Sequence, residues 1–166
     1  MVGSVLKEIP VFDSLDRLQI DELSSWLQRK EYAPMETIIQ EGGPPDGLYV
    51  LAKGDVEVLK ETASGPLVIA ELEAPSVFGE MGLLNVEEAR SAGVRAKSRV
   101  IAGFLPSTLF NAKLSENNLA ALHIALNLGR ISSQRLRATT RKLASMSEEI
   151  ARLVLRVEEH GIEGRK

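Results

Sequence analysis

Apolar and polar positions change their rhythm twice along this chain. Residues 16–30, DRLQIDELSSWLQRK, place Ile20, Leu23 and Leu27 on one face at helical spacing, and Asp16 stands where an N-cap belongs. A helix over 16–30 is predicted, with a short helical turn around Val5–Glu8 before it. From Glu31 to Pro106 the period shortens. Six β-rich runs follow: TIIQ (37–40), GLYVLAK (47–53), DVEVLK (55–60), PLVIAEL (66–72), SAGVRA (91–96) and VIAGFL (100–105). They are broken by EGGPPDG, KGD, ASGP, EAPS and AKSR, and Val56 and Val58 alternate with polar residues. Short strands at near-regular spacing with no intervening helix predict a sandwich, a jelly roll or a closed barrel.

Helical texture returns at Ser107. STLFNAKLS carries Leu109, Phe110 and Leu114. The segment from Asn117 then traces a heptad-like stripe through Leu122, Leu126, Ile131, Leu136 and Leu143, with one shift near Gly129. Ser147 reads as a cap, Glu148 and Glu149 suit a first turn, and Gly161 reads as a stop. This predicts either a second helix after a break near Ser145–Ser147 or a continuation of the first. The expected organisation is a helical segment over 1–30, a β core over 31–106 and C-terminal helices over 107–166.

Composition narrows the function. The chain has 166 residues, 44% hydrophobic and 26% charged, with a net charge of -3, which fits a single soluble domain with a proper core. With no cysteine, disulfides, thiolate chemistry and cysteine metal sites are excluded, in keeping with a cytoplasmic location. No apolar run reaches the roughly 18–20 residues that span a bilayer, and the first residues lack a secretion signal. His123 and His160 are far apart in helical segments, so the clustered histidines of a cupin-like enzyme are missing. No Ser-His-Asp set or catalytic carboxylate pair stands out, and the expectation is a protein that is not an enzyme and needs no cofactor.

The candidate chemistry lies in residues 78–96, FGEMGLLNVEEARSAGVRA. Gly79 and Gly82 flank Glu80 and Met81. A Gly-X-X-Gly turn running into a short helical segment exposes backbone N–H groups of the kind that hold phosphate oxygens. Ionised Glu80 suits ribose hydroxyls, and the planar fork of Arg90 suits a phosphate. Ser91 adds a hydroxyl and an N–H, while Ala92 and Gly93 let a ligand approach the backbone. Together they point to a phosphorylated ribose.

The same segment resembles the phosphate-binding cassette of the cyclic-nucleotide-binding domain, the sensor module of the cAMP receptor protein family. The upstream IIQEGGPPDGLYVLAKGDVEVL is similar to that family's glycine-punctuated strands, and the resemblance runs from about Phe12 to about Leu143. It implies an antiparallel eight-stranded jelly roll with helices at both ends. It also implies that Glu80 accepts the ribose 2′-hydroxyl, that Arg90 neutralises the cyclic phosphate, and that Ser91 and the backbone of Gly79–Met81, with Phe78 and Ala92 beside them, complete the shell. The step from Glu80 to Arg90 looks like that of bacterial members. Val58, Ile69, Leu72 and Met81 are the expected apolar walls. Met35 stands where the family usually has glycine.

In the family the helix after the β core covers the base and pairs with its twin. The matching segment, about 117–145, implies a homodimer, with Gln134 and Arg135 as possible base contacts. The family's usual Thr-Ser pair is absent there, and the resemblance to bacterial members implies cAMP as the default ligand, with cGMP left open. Arg130, Arg135, Arg137, Arg141 and Lys142 form a basic run with no acid between Asn117 and Ser147, but it lacks aromatic residues and the expectation is no direct nucleic-acid contact. SEEIARLVLRVEEHG resembles the first helix of the DNA-binding domain that the family's transcription factors add, and nothing follows it here. The chain is then either a stand-alone sensor, acting on an unidentified protein partner, or a piece of a longer regulator. A dimer module with an unused nucleotide site is the remaining alternative.

Overall fold

The computed structural model describes residues 5–84 and 89–163, with backbone only at 84 and over 153–163. It falls into two compact units, 1–128 and 129–166.

The described part of the first unit opens with a helical turn over 5–8, followed by a 3-10 turn, Pro10–Phe12, and helix α1, Arg17–Trp26. The α1 start is a full capping box. Asp16 Oδ1 accepts the Gln19 N–H at 2.9 Å, and Gln19 Oε1 accepts the Asp16 N–H at 3.0 Å, which satisfies two N–H groups that a helix start otherwise leaves open. The helix is shorter than its sequence pattern predicts. It stops at Trp26, and Gln28–Tyr32 is strand β1. β1 pairs with strand β8, Val100–Pro106, and its residues are almost all exposed, so no alternation of apolar residues announces it.

The remaining strands are β2 (Thr37–Ile39), β3 (Gly47–Lys53), β4 (Asp55–Thr62), β5 (Gly65–Glu73), β6 (Ser76–Phe78) and β7 (Gly93–Ala96). They form two four-stranded antiparallel sheets, in the orders β1-β8-β3-β6 and β2-β7-β4-β5. This is the expected eight-stranded jelly roll with flanking helices and a long C-terminal helix. Six of its strands follow the β-rich runs of the sequence. β1 and the three-residue β6 do not.

Ile39, Tyr49, Leu51, Val56, Phe78, Val94, Ala96, Val100 and Ala102 make one buried cluster drawn from both sheets, and Val58 and Leu72 pack against it. Burying such side chains contributes about 1.5–3 kcal/mol each. Tyr49 and Phe78 stack with ring centres 5.1 Å apart, and Phe104 packs on Tyr49 at 4.8 Å. Burial, the largest influence, pushes the Tyr49 hydroxyl strongly up, with the neighbouring Tyr32 and Asp46 adding to it. β5 is an edge strand. Leu67, Val68 and Ile69 on it are exposed, and its register against β4 slips by a bulge between the pairs Val58↔Ala70 and Leu59↔Val68, leaving Ile69 unpaired.

Helix α2 is the short Met81–Leu84, α3 is Ser107–Ser115, and α4 runs from Leu119 to Glu163. At the α4 start Asn118 Oδ1 accepts the Ala121 N–H at 3.1 Å while its amide donates to Glu22 Oε1 at 2.7 Å. Buried Asn127 donates to the Val11 carbonyl at 3.0 Å and to Ser14 Oγ at 2.7 Å. These bonds fasten the beginning of α4 to the N-terminal segment within the first unit. In the second unit the helix continues through Ser147 and Gly161, so neither the break nor the stop suggested by those residues occurs. Ser147 costs little inside a helix, and Gly161 about 1 kcal/mol against alanine. Among the described residues, no helix is long and apolar enough to cross a membrane.

Candidate phosphate-binding site

The turn that carries Glu80 follows directly from β6, and the segment that carries Arg90 leads directly into β7. Arg90 is the buried charge of the first unit, with 6% of its side chain exposed. Its guanidinium is well held. Nη1 donates to the Gly79 carbonyl at 2.8 Å, and Nη2 donates to the Gly47 carbonyl at 2.6 Å and to Asp46 Oδ1 at 2.5 Å. Asp46 itself is half exposed. Burying a guanidinium is tolerable only with this kind of compensation. Its Nε–H is buried and has no partner among the described residues. A donor left so inside a folded chain costs roughly 1–3 kcal/mol, and an anionic oxygen from a ligand would recover that.

Glycine makes the fit possible. A Cβ on Gly82 would stand 2.6 Å from Arg90 Nη1, and one on Gly79 would stand 2.8 Å from it. Gly79 also has φ of 72°, a conformation that side chains disfavour. The Gly-X-X-Gly spacing therefore shapes a cradle for the arginine itself. The Gly79 carbonyl that takes Arg90 immediately precedes Glu80, so the acid and the arginine are tied through one peptide unit. Glu80 is half-buried at the start of α2, and its carbonyl accepts the Leu83 N–H at 3.0 Å.

The Arg90 main chain is gripped as firmly as its side chain. Gly42 N–H donates to the Arg90 carbonyl at 2.8 Å, and Arg90 N–H donates to the Gly43 carbonyl at 2.9 Å. Ser91 is exposed, with its hydroxyl 3.8 Å from Met81 Sδ, and Ala92 is half-buried.

The structure thus brings Gly79 to Arg90 and Met81 to Ser91, with Phe78, Glu80 and Ala92 adjoining them in the chain. Val58 and Leu72 lie with Phe78 in the inter-sheet cluster. Met81 is 55% exposed and Ile69, on the edge strand, 53%. Gln134 and Arg135 are exposed positions of α4 in the second unit. Sequence reasoning missed Asp46 and the Gly42–Gly43 and Gly47 backbone. The run EGGPPDG signals a turn, and nothing local says that its aspartate meets an arginine 44 residues later. Among the described residues, no cluster of histidine, aspartate and glutamate could hold a metal ion.

The jelly roll therefore buries an arginine against the glycine-flanked turn that carries a glutamate. The model of the cyclic nucleotide-binding domain family matches residues 29–117, and the chain belongs to that family. It is 33% identical over 132 residues to the cAMP-activated global transcriptional regulator Vfr of Pseudomonas aeruginosa, covering 77% of this chain and 60% of that protein. It is 32% identical over 111 residues to the cAMP-dependent protein kinase regulatory subunit of Schizosaccharomyces pombe, covering 67% of this chain and 26% of that protein. The chain therefore spans about a quarter of the kinase subunit. Among solved structures, the Thermus thermophilus catabolite activator protein superposes with a TM-score of 0.74 at 27% identity, over 83% of this chain and 63% of that one.

Proposed function

We propose that this chain is the cyclic-nucleotide sensor of a regulatory protein, with cAMP as its ligand and no catalytic role. The observation that carries the reading is Arg90, a buried charge in a glycine cradle whose Nε–H has no partner among the described residues, tied to the residue before Glu80. The relatives, a cAMP-activated regulator and cAMP-dependent kinase regulatory subunits, support cAMP over cGMP. In this reading the fork of Arg90 takes the cyclic phosphate and Glu80 takes the ribose hydroxyl. Phe78, Val58, Leu72 and Ile69 supply apolar surface, and Gln134 and Arg135 are possible base contacts. Ligand binding then biases the C-terminal helix between two states, as far as its affinity for them differs.

The helix also supplies the partner surface. Leu136, Leu143 and Ile150 recur every seven residues and are 68%, 62% and 59% exposed, with Met146 48% exposed between the last two. Such a stripe fits the same stripe on a second copy, as in a two-stranded coiled coil. The reading is a cytoplasmic homodimer that passes the signal to a downstream protein, with no membrane or nucleic acid involved.

Calorimetric titration with cAMP and cGMP tests this, with Arg90→Lys alongside. Lysine keeps the charge and loses the planar fork. Micromolar or tighter binding by the wild type, weakened at least about tenfold in the variant, is the expected result. No heat and no thermal shift in nucleotide-free wild-type protein would overturn it. Arg90 and Asp46 would then be a structural ion pair in a dimer module.

A further inference from the structure

β7 begins at Gly93, two residues past Ser91, with β2 and β4 as its neighbours in the sheet. A Cβ on Gly93 would lie in ordinary contact with the Ile39 carbonyl oxygen at 3.5 Å and with Glu41 N at 3.7 Å, so the start of β7 runs beside the segment after β2. Here the segment after β2 and the end of β4 are joined to each other. Lys60 of β4 places its ammonium 2.5 Å from Glu41 Oε1 and 2.9 Å from the Ser91 carbonyl oxygen. Glu41 Oε2 accepts the Glu61 N–H at 2.8 Å, so the carboxylate is held at both oxygens. The ammonium bond, followed by that N–H, holds the Glu41 carboxyl below the usual carboxylate range. The residues that follow Glu41 are the glycines that grip the Arg90 main chain.

Peptide geometry gives this latch a consequence. The Ser91 carbonyl and the Ala92 N–H belong to one planar trans unit and point in opposite directions. While Lys60 holds the carbonyl, the Ala92 N–H faces away from Lys60, and among the described residues it has no acceptor. Without the latch, the same peptide could turn its carbonyl oxygen toward a bound anion, where like charge would repel it.

We propose that Lys60, anchored by Glu41, is a positioning residue of the phosphate site that fixes the Ser91–Ala92 peptide with its N–H, and not its carbonyl, toward one exocyclic oxygen of the cyclic phosphate. This rests on the cyclic-nucleotide reading above. Lys60 is 49% and Glu41 21% exposed at the side chain, so the pair adds little to fold stability, and its effect on binding is separable from unfolding.

The test compares wild type, Lys60→Met and Lys60→Arg by calorimetry and thermal melting. The probes are cAMP and the Rp and Sp phosphorothioate diastereomers, which differ only in which exocyclic oxygen is sulfur. Expected for Lys60→Met is a melting point within about 2 °C of wild type. Affinity for cAMP should fall about fivefold, and the preference between the diastereomers should shrink about threefold, the scale of one misplaced hydrogen bond. Lys60→Arg should restore both. Unchanged affinity and preference would overturn the proposal. So would an equal loss for both diastereomers, or a loss that arginine does not rescue. If the wild type binds none of the probes, the cyclic-nucleotide reading itself fails, and the proposal with it. That failure shows in the wild type before any variant is compared.

Discussion

At the scale of single residues, the site is built around one arginine whose surroundings are mostly backbone. Carbonyls from Gly47 and Gly79 and the Asp46 carboxylate hold the guanidinium, and Gly79 and Gly82 are glycine because its side chain occupies the space a Cβ would need. Glu80 and Arg90 stand in one short motif, so the sequence suggests their association, and the structure puts Arg90 on the carbonyl of the residue before Glu80. Asp46 was not legible, since backbone carbonyls and a distant carboxylate leave no pattern in residue types. A second lesson concerns Met35. It has φ of 69°, and its side chain is exposed. A left-handed backbone costs a side-chain-bearing residue about 1–2 kcal/mol, part of which glycine gives back as unfolded-chain entropy. Met35→Gly is therefore expected to stabilise the protein by about 0.5–1 kcal/mol and raise its melting point by about 1–4 °C. Thermal unfolding checks this, and an unchanged or lower melting point would count against strain at this turn.

At the scale of elements, legibility followed burial. β3 buries its first five residues and β4 alternates around Val56, so apolar residues announce both strands. β1, QRKEY, is an edge strand whose residues face solvent. Only its ladder with β8 makes it a strand, and pairing partners cannot be read from residue types. The C-terminal helix shows the converse limit. Ser147 and Gly161 are punctuation by propensity, yet the helix passes through both. Its exposed apolar stripe makes a prediction at this scale. Leu143→Lys should weaken self-association at least about a hundredfold, since each dimer would lose two leucines at about 1.5–3 kcal/mol apiece. Sedimentation equilibrium reads this directly. A wild type that stays monomeric at tens of micromolar would remove the coiled-coil interface from the reading.

At the scale of the whole molecule, ligand binding and folding are linked. The residues proposed to hold the phosphate join β6, β7, β3 and the loop after β2, so a ligand held by them would engage both sheets at once. A ligand that binds only the folded state at about a hundred times its dissociation constant adds about 2.7 kcal/mol. For a chain of this length that corresponds to a rise of about 5–10 °C in melting temperature. Differential scanning fluorimetry against cAMP concentration should show the midpoint climbing with the logarithm of ligand. A plateau reached at equimolar ligand with no further rise would mean that unfolding is not a single equilibrium step.

The edge strand β5 carries a consequence of another kind. Leu67, Val68 and Ile69 lie exposed beside a row of unpaired peptide groups, which is the composition of a template for intermolecular pairing. Two features blunt it. Pro66 has no N–H to offer near the start of the strand, and the bulge at Ile69 interrupts a straight ladder in the middle. A charged residue in place of Leu67 is expected to let the protein be concentrated further without touching the turn that carries Glu80.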